Sequence, residues 1–143
     1  HAFEVMPVLV SFIPMLMDTG GNCGSQSSTL IIRGLAIDEI KFSDFFKVVF
    51  KEFRISIVVG IMLGIANGIR IVLLNHDVYL AFVVSASIVV TVMISKFVGC
   101  VLPIVAKRLK MDPAIMAAPL ITTIVDTLAI MVYFSIASQI FNL

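Results

Sequence analysis

Three ionisable side chains interrupt apolar stretches of the sequence and are the first candidates for chemistry: Asp18, Lys96 and Asp126. Thr122 and Thr123 precede Asp126 by four and three residues, so these side chains share nearly one face of a helix. Carboxylate and hydroxyl oxygens are the ligands that hard cations such as Mg²⁺ and Ca²⁺ prefer. The spacing therefore predicts an oxygen-rich cation site around Asp126.

A polar, glycine-rich stretch at residues 20–29 is the second candidate site. Within it, Asn22 and Gln26 are four residues apart and therefore share a helix face. Their amides, together with nearby hydroxyls, could hydrogen-bond an ion that keeps its water shell. Tight helix packing through the small residues is the alternative explanation, and the two roles are compatible.

The charged residues also have structural explanations that leave transport aside. Asp126 could form a salt bridge with Lys96, and Asp18 could pair with Lys96 or cap a helix that resumes after the glycines. A lysine in such a position is more often paired, or extended toward the membrane surface, than directly involved in transport. Asp18 also begins an Asp-Thr-Gly tripeptide, the aspartic protease signature, but that motif belongs in a soluble β fold. Nothing in this sequence predicts strands, so we do not expect an enzyme.

Composition places these residues in a membrane. Hydrophobic residues make up 60% of the chain, charged residues only 13%, and the mean hydropathy is +1.14. Stretches of about 20 apolar residues match the hydrocarbon thickness of a bilayer. We predict an all-α, polytopic membrane bundle in contact with the lipid bilayer, with four spans at 3–35, 55–74, 78–106 and 113–141. The net charge of +1 makes nucleic acid an unexpected partner.

Local signals refine these spans. Prolines and glycines predict that the span 3–35 is interrupted. The charged segment 37–54 has apolar residues at helical spacing, which predicts an amphipathic helix at the membrane surface. Asp112 suits the N-cap of the fourth span, and Pro113 suits its first helical position.

Basic residues predict the orientation. The segments after the first and third spans are rich in lysine and arginine, whereas the turn between the second and third spans is not. The basic residues are Arg33, Lys41, Lys47, Lys51 and Arg54 in the first segment and Lys107, Arg108 and Lys110 in the second. By the positive-inside rule, both segments face the cytoplasm of a multi-pass protein of the cell membrane. Leu143 is then predicted to be extracytoplasmic.

Three motifs resemble the MgtE family of magnesium channels and transporters. The first is PMLMDTGGNCGSQS at 14–27. The second is Leu102-Pro103, followed by the basic cluster and by MDPA at 111–114. The third is PLITTIVD at 119–126, with Tyr133 and Phe134 downstream. All three occur in family order and spacing and together span nearly the whole chain.

The resemblance implies a homodimer with five membrane helices per subunit. Its pore lies at the subunit interface and is lined by the second and fifth helices, which match the first and fourth spans here. The first family helix, the cytosolic magnesium-sensing domain and the paired regulatory CBS modules are missing, so we expect a fragment of a longer protein. The family's central pore aspartate matches Asp126, the aspartate at its cytosolic mouth matches Asp112, and its pore-side asparagine matches Asn22.

We therefore expect residues 1–143 to be an MgtE-like transmembrane pore domain that conducts hydrated Mg²⁺, with Mn²⁺, Co²⁺ or Ca²⁺ as other candidate ions. The resemblance departs at Ala118, where some members have asparagine, and at Ala129, where many have glycine. A sodium-coupled exchanger remains an alternative, as does an assembly module whose buried acids only pair with Lys96. The expected metal contacts are Asp126 and Asp112, and the further pore-lining residues are Asn22, Gly21, Gln26, Thr122, Thr123, Ala118 and Asp18.

Overall fold

In the computed structural model, which describes residues 2–116 and 118–143, the chain is almost entirely helical. Two short 3-10 helices precede the third and fifth α-helices, at Phe42–Asp44 and Pro113–Met116. No strand occurs in the described ranges, and the all-α membrane class is confirmed. The α-helices are α1 (Ala2–Ser11), α2 (Ile13–Ala36), α3 (Phe45–Asn75), α4 (Val78–Arg108) and α5 (Ala118–Phe141).

Three helical segments of the described chain are long and apolar enough to cross a membrane: Phe42–Asn75, Val78–Arg108 and Ala118–Phe141. They correspond to the second, third and fourth predicted spans. The first predicted span consists of α1 and α2, and the glycines, hydroxyls and amides of α2 make it less apolar. With 24 residues, α2 is about 36 Å long, enough for a hydrocarbon core of about 30 Å. Its membrane crossing stays a prediction.

The first span is interrupted before α2 and not at the glycines, where the sequence predicted a break. The helix is interrupted at Phe12, and Pro14 occupies the first turn of α2. Backbone N–H groups in the first turn have no partner within the helix, so a proline costs no hydrogen bond there. Gly20 and Gly21 are buried inside a continuous α2. The prediction of a break at the glycines was wrong, because their packing offsets the roughly 1 kcal/mol by which a glycine weakens a helix. Asp18 therefore caps no resumed helix.

The segment 37–54 is not a separate amphipathic helix. After α2 the chain turns at Asp38, whose φ of 58° lies in the left-handed region. A 3-10 turn at Phe42–Asp44 follows, and α3 then runs without a break from Phe45 to Asn75. Residues 45–54, with their four charged side chains, thus form the first turns of a membrane-length helix.

The fourth span also begins later than predicted. The carboxylate of Asp112 accepts the backbone N–H of Ala114 at 3.0 Å, so it caps the 3-10 helix Pro113–Met116. The α-helix α5 begins at Ala118. Asp126 is consequently in the third turn of α5, closer to the start of the helix than a beginning at Pro113 implied.

Helix α4 lies at the centre of the bundle and packs against α2, α3 and α5. Glycines on α3 let α4 approach closely, and the Ser85 hydroxyl donates to the Gly64 carbonyl at 2.9 Å. Apolar α4 residues such as Val84 and Ile88 are fully buried in the resulting core. The arrangement leaves one side of α2 and α5 uncovered.

The two basic segments meet at one end of the bundle. The Lys107 ammonium donates to the Leu35 carbonyl at 3.1 Å, which joins the end of α4 to the end of α2. Arg108 lies over the ring of Phe42, at 5.4 Å from its centroid. Helix α5 starts at this end and finishes at the other. The basic segments therefore share one side of the bundle, and its assignment to the cytoplasm stays a prediction.

Candidate ion-binding surface

Helices α2 and α5 pack closely because glycines of α2 face α5. A Cβ atom added to Gly20 would lie 2.7 Å from Val125, and one added to Gly24 would lie 2.7 Å from Ile121. As residue numbers rise along α2, those of the facing residues fall along α5. The two helices are therefore antiparallel, and their backbones are close enough for their polar residues to border one common surface.

One side of α2 presents three polar side chains on successive turns: Asp18, Asn22 and Gln26. All three are exposed in the single chain, and the Asn22 amide donates to the Asp18 carboxylate at 3.3 Å. The polar stripe expected from the spacing of Asn22 and Gln26 is thus present, and Asp18 extends it by one turn. Gly21 is buried against Thr122, beside this stripe and not on its surface.

Helix α5 contributes Asp126 and two threonines to the same surface. Asp126 and Thr122 are half-buried, and Thr123 is exposed. The Thr122 and Thr123 hydroxyls donate to the Pro119 carbonyl at 3.1 and 2.9 Å. Since their protons are directed to the helix backbone, the lone pairs of the two hydroxyl oxygens remain available to accept a water proton or to face a cation.

The helix register brings the two aspartates to a similar depth. Gly21 is level with Thr122, so the next turn of α5, at Asp126, is level with the preceding turn of α2, at residues 17–18. With about 3.6 residues per turn, Asp18 and Asp126 also lie on the same side of the antiparallel pair. This side of α2 and α5, formed by Asp18, Asn22, Gln26, Thr122, Thr123 and Asp126, is a candidate for binding ions and is called the ion-binding surface below.

This surface is not a closed metal cage. Over the parts of the chain that the structure describes, no group of three or more His, Cys, Asp or Glu side chains could hold a metal ion. The polar groups are also too spread out to surround one ion: Asp18 and Gln26 lie about 12 Å apart along α2, whereas Mg²⁺ demands six oxygens at one point. A single chain is therefore suited to contact an ion that keeps most of its water.

Asp112 and Ala118 lie toward the basic end, away from Asp126. Ala118 is the exposed first residue of α5, about 12 Å along the helix axis from Asp126. Asp112 is exposed and lines a cavity of about 350 Å³ together with Asp38 and Lys107. The structure therefore does not bring the two predicted metal contacts, Asp112 and Asp126, together within one chain.

Lys96 has a different partner from those considered on sequence. Its ammonium lies 3.8 Å from the Glu52 carboxylate, and both side chains are buried. Among the described residues, neither Asp18 nor Asp126 forms an ion pair. The alternatives that paired these two aspartates with Lys96 were therefore wrong, because Glu52 enters the bundle from α3 and neutralises the lysine.

Glu52 was missed because it lies in a charged segment that was expected at the membrane surface. A helical pattern could have revealed it: Glu52, Ser56, Gly60 and Gly64 follow one another at four-residue steps. All four are buried on the face of α3 that meets the rest of the bundle. The small-residue stripe of α3 thus continues back to the glutamate.

Comparison with known proteins identifies the family. The model of the MgtE family, described as divalent cation transporter, matches residues 13–136. This chain belongs to the MgtE family. The match begins at the first residue of α2 and ends within α5, so it includes every residue of the ion-binding surface.

Three relatives are each named magnesium transporter MgtE. The chain is 36% identical to that of Bacillus subtilis, over 96% of this chain and 30% of the relative. It is 35% identical to that of Thermus thermophilus, over 94% of this chain and 30% of the relative. For that of Enterococcus faecalis the identity is 30%, over 92% of this chain and 29% of the relative.

The chain thus spans less than a third of the length of these curated MgtE relatives. The relatives are named as transporters and not as enzymes, in agreement with the expectation that the chain is not an enzyme. The resemblance seen in the three sequence motifs is confirmed as well.

Proposed function

We propose that two copies of this chain form a magnesium-conducting pore at their interface, with the ion-binding surface of each copy facing the other. The observation that supports this most is Asp126, a carboxylate in the third turn of a membrane helix, on a side that the chain itself leaves uncovered. A carboxylate exposed to hydrocarbon is costly. Water and a second copy of the surface would together remove that cost.

Symmetry supplies what one chain lacks. In a two-fold dimer the same patch meets itself, so two Asp126 carboxylates would face one ion. The other oxygens of the surface are spread along two helices and do not converge on that point, and Mg²⁺ gives up its water reluctantly. The ion would therefore pass Asp126 with its first water shell in place.

We propose Mg²⁺ as the transported ion because the relatives are named magnesium transporters. Mn²⁺, Co²⁺ and Ca²⁺ are the other candidate ions for the same site. Asp112 would attract the ion at the basic end of the pore, where Ala118 lines the path toward Asp126. We assign this end to the cytoplasm, where regulatory domains of the complete protein, including CBS modules, would act on it.

The test is Mg²⁺ uptake into liposomes by the complete protein and by its Asp126→Asn variant. We expect the initial rate to fall about tenfold or more, since a contact with a charged group contributes about 1.5–3 kcal/mol. Glu39→Gln removes an exposed acid of the turn after α2 and is the matched control, with uptake close to that of the parent. Parental uptake by Asp126→Asn would exclude the proposed site.

The same liposomes distinguish a channel from an exchanger. Conduction through an open pore needs only the Mg²⁺ gradient, so we expect the same initial rate with and without a Na⁺ gradient. A rate that disappears when the Na⁺ gradient is removed would instead establish sodium-coupled exchange.

A further inference from the structure

A buried polar cluster joins three helices behind the ion-binding surface. The Ser27 hydroxyl of α2 donates to the Glu52 carboxylate of α3 at 2.7 Å and accepts from the Lys96 ammonium of α4 at 3.2 Å. Lys96 and Glu52 are 4% and 8% exposed, and Ser27 is fully buried. Helix α2 therefore separates this cluster from the ion-binding surface.

We propose that this cluster is a positioning element for transport: it fixes the rotation of α2 about its own axis and so directs Asp18, Asn22 and Gln26 into the conduction path. The proposal rests on the proposed function. It assigns Ser27, Glu52 and Lys96 to the support of the pore helix, with no contact to the ion.

The position of Ser27 on α2 suits this role. At about 100° per residue, Ser27 points about 180° away from Asp18 and about 140° away from Asn22. A hydrogen bond at Ser27 therefore constrains the direction in which Asp18 and Asn22 point from the opposite face of α2. Five residues separate Ser27 from Asn22, about 7.5 Å along the axis, so both lie in the same stretch of helix.

The neighbouring contact between α2 and α4 is made through small residues. A Cβ atom added to Gly99 would overlap the Gly24 carbonyl, so the two backbones touch there. Small residues allow close approach but provide few interlocking side chains. The hydrogen bond that Ser27 donates to α3 and the one it accepts from α4 are directional, so they add a constraint on the rotation of α2.

The charges also favour a positioning role over a purely stabilising one. A buried ion pair is often no more stable than well-packed apolar residues of the same volume, because both ions lose their water. The Ser27 hydroxyl has a single proton, which it gives to Glu52, and it uses its oxygen for Lys96. The arrangement of the three helices seen here satisfies both hydrogen bonds and the ion pair together.

The test compares three serine variants of the complete protein. Ser27→Ala removes the hydroxyl, and Ser27→Thr keeps it. Ser87→Ala is the matched control, because Ser87 is fully buried but donates only within α4, to the Val83 carbonyl. Each variant is combined with Asn22→Cys after Cys23 and Cys100, both free and buried, are replaced by alanine. The rate at which a water-soluble thiol reagent labels the cysteine at position 22 then reports how far this face of α2 is exposed to water.

We expect Ser27→Ala to change the labelling rate at position 22 about threefold or more, a change typical of one lost hydrogen bond. In the protein that retains Asn22, we expect a shift in the half-saturating Mg²⁺ concentration of uptake. Ser27→Thr and Ser87→Ala should keep parental values of both. Rates are normalised to folded protein, so a lower yield of one variant does not affect the comparison.

Parental labelling and parental half-saturation in Ser27→Ala would overturn the proposal. Equal changes in Ser27→Ala and Ser27→Thr would also overturn it, because volume and not the hydroxyl would then matter. Altered labelling with unaltered uptake would support the positioning of α2 and contradict a pore-lining role for it. The labelling result does not depend on which ion is carried, so it is independent of the Asp126→Asn test.

Discussion

Gly21 of α2 lies directly against Thr122 of α5, and a Cβ atom at Gly21 would come within 3.0 Å of the Thr122 methyl group. Together with the tighter contacts at Gly20 and Gly24, this contact sets the distance between the two helices that carry the ion-binding surface. It also fixes their register, which places Asp18 and Asp126 at a similar depth. The spacing of the polar groups thus depends on a residue that has no side chain.

Gly21→Ala is predicted to alter transport, whereas Gly64→Ala, which introduces a comparable clash elsewhere, is not. The added methyl group pushes on Thr122, one turn from Asp126, and overpacking of this kind costs about 1–3 kcal/mol. We expect a changed half-saturating Mg²⁺ concentration in liposome uptake. Gly64→Ala is the control, because its Cβ would meet Val89 and Ser85 of α4 at 3.2 Å, away from the ion-binding surface. An equal effect of both variants on half-saturation would contradict the prediction.

Lys96→Met is predicted to destabilise the fold more than the double variant Lys96→Met/Glu52→Gln. The single change leaves the Glu52 carboxylate buried without its counter-ion, which costs about 3–5 kcal/mol. The double change removes both charges at nearly constant volume, so most of that loss should be recovered. Thermal unfolding in detergent measures the difference. A double variant no more stable than Lys96→Met alone would show that the pair is not the source of the loss.

Cysteines at Met111 and Leu143 are predicted to be labelled from opposite sides of the membrane. Both residues are exposed, Met111 beside the basic segment after α4 and Leu143 just beyond α5. The positive-inside rule places Met111 in the cytoplasm and Leu143 outside. An impermeant thiol reagent applied to intact cells should modify only the variant at Leu143. Modification of only the variant at Met111 would reverse the orientation.

Cobalt hexammine is predicted to inhibit Mg²⁺ uptake. Its fixed ammine shell resembles hydrated Mg²⁺ in size, and a pore that passes the hydrated ion should admit it as far as Asp126. Inhibition should weaken in Asp126→Asn, which lacks the carboxylate that holds the blocker. Direct bonds between protein oxygens and dehydrated Mg²⁺ are about 2.1 Å long. A structure with several such bonds at Asp126 would refute passage of the hydrated ion.

The sequence by itself determined the class of the protein and most of the candidate residues. Apolar composition and span length require a membrane, because so much hydrophobic surface cannot be buried within a chain of this size. The four-residue spacing of Asn22 and Gln26, and that of Thr122 and Asp126, defines helix faces through local geometry. These properties depend on neighbours along the chain, so they survive without knowledge of the packing.

Only the tertiary structure decided which residues meet across helices. Glu52 pairs with Lys96 and accepts a hydrogen bond from Ser27. Ser27 is 25 positions from Glu52 and 69 positions from Lys96 along the chain. The four-residue pattern on α3 indicates that Glu52 is buried, but it does not show that Lys96 pairs with Glu52 and not with Asp18 or Asp126. The continuity of α2 through its glycines is a similar case, because weak local helix preference is outweighed by burial against α4 and α5. Contacts between distant segments follow from how whole helices pack, and that information is spread over the entire chain.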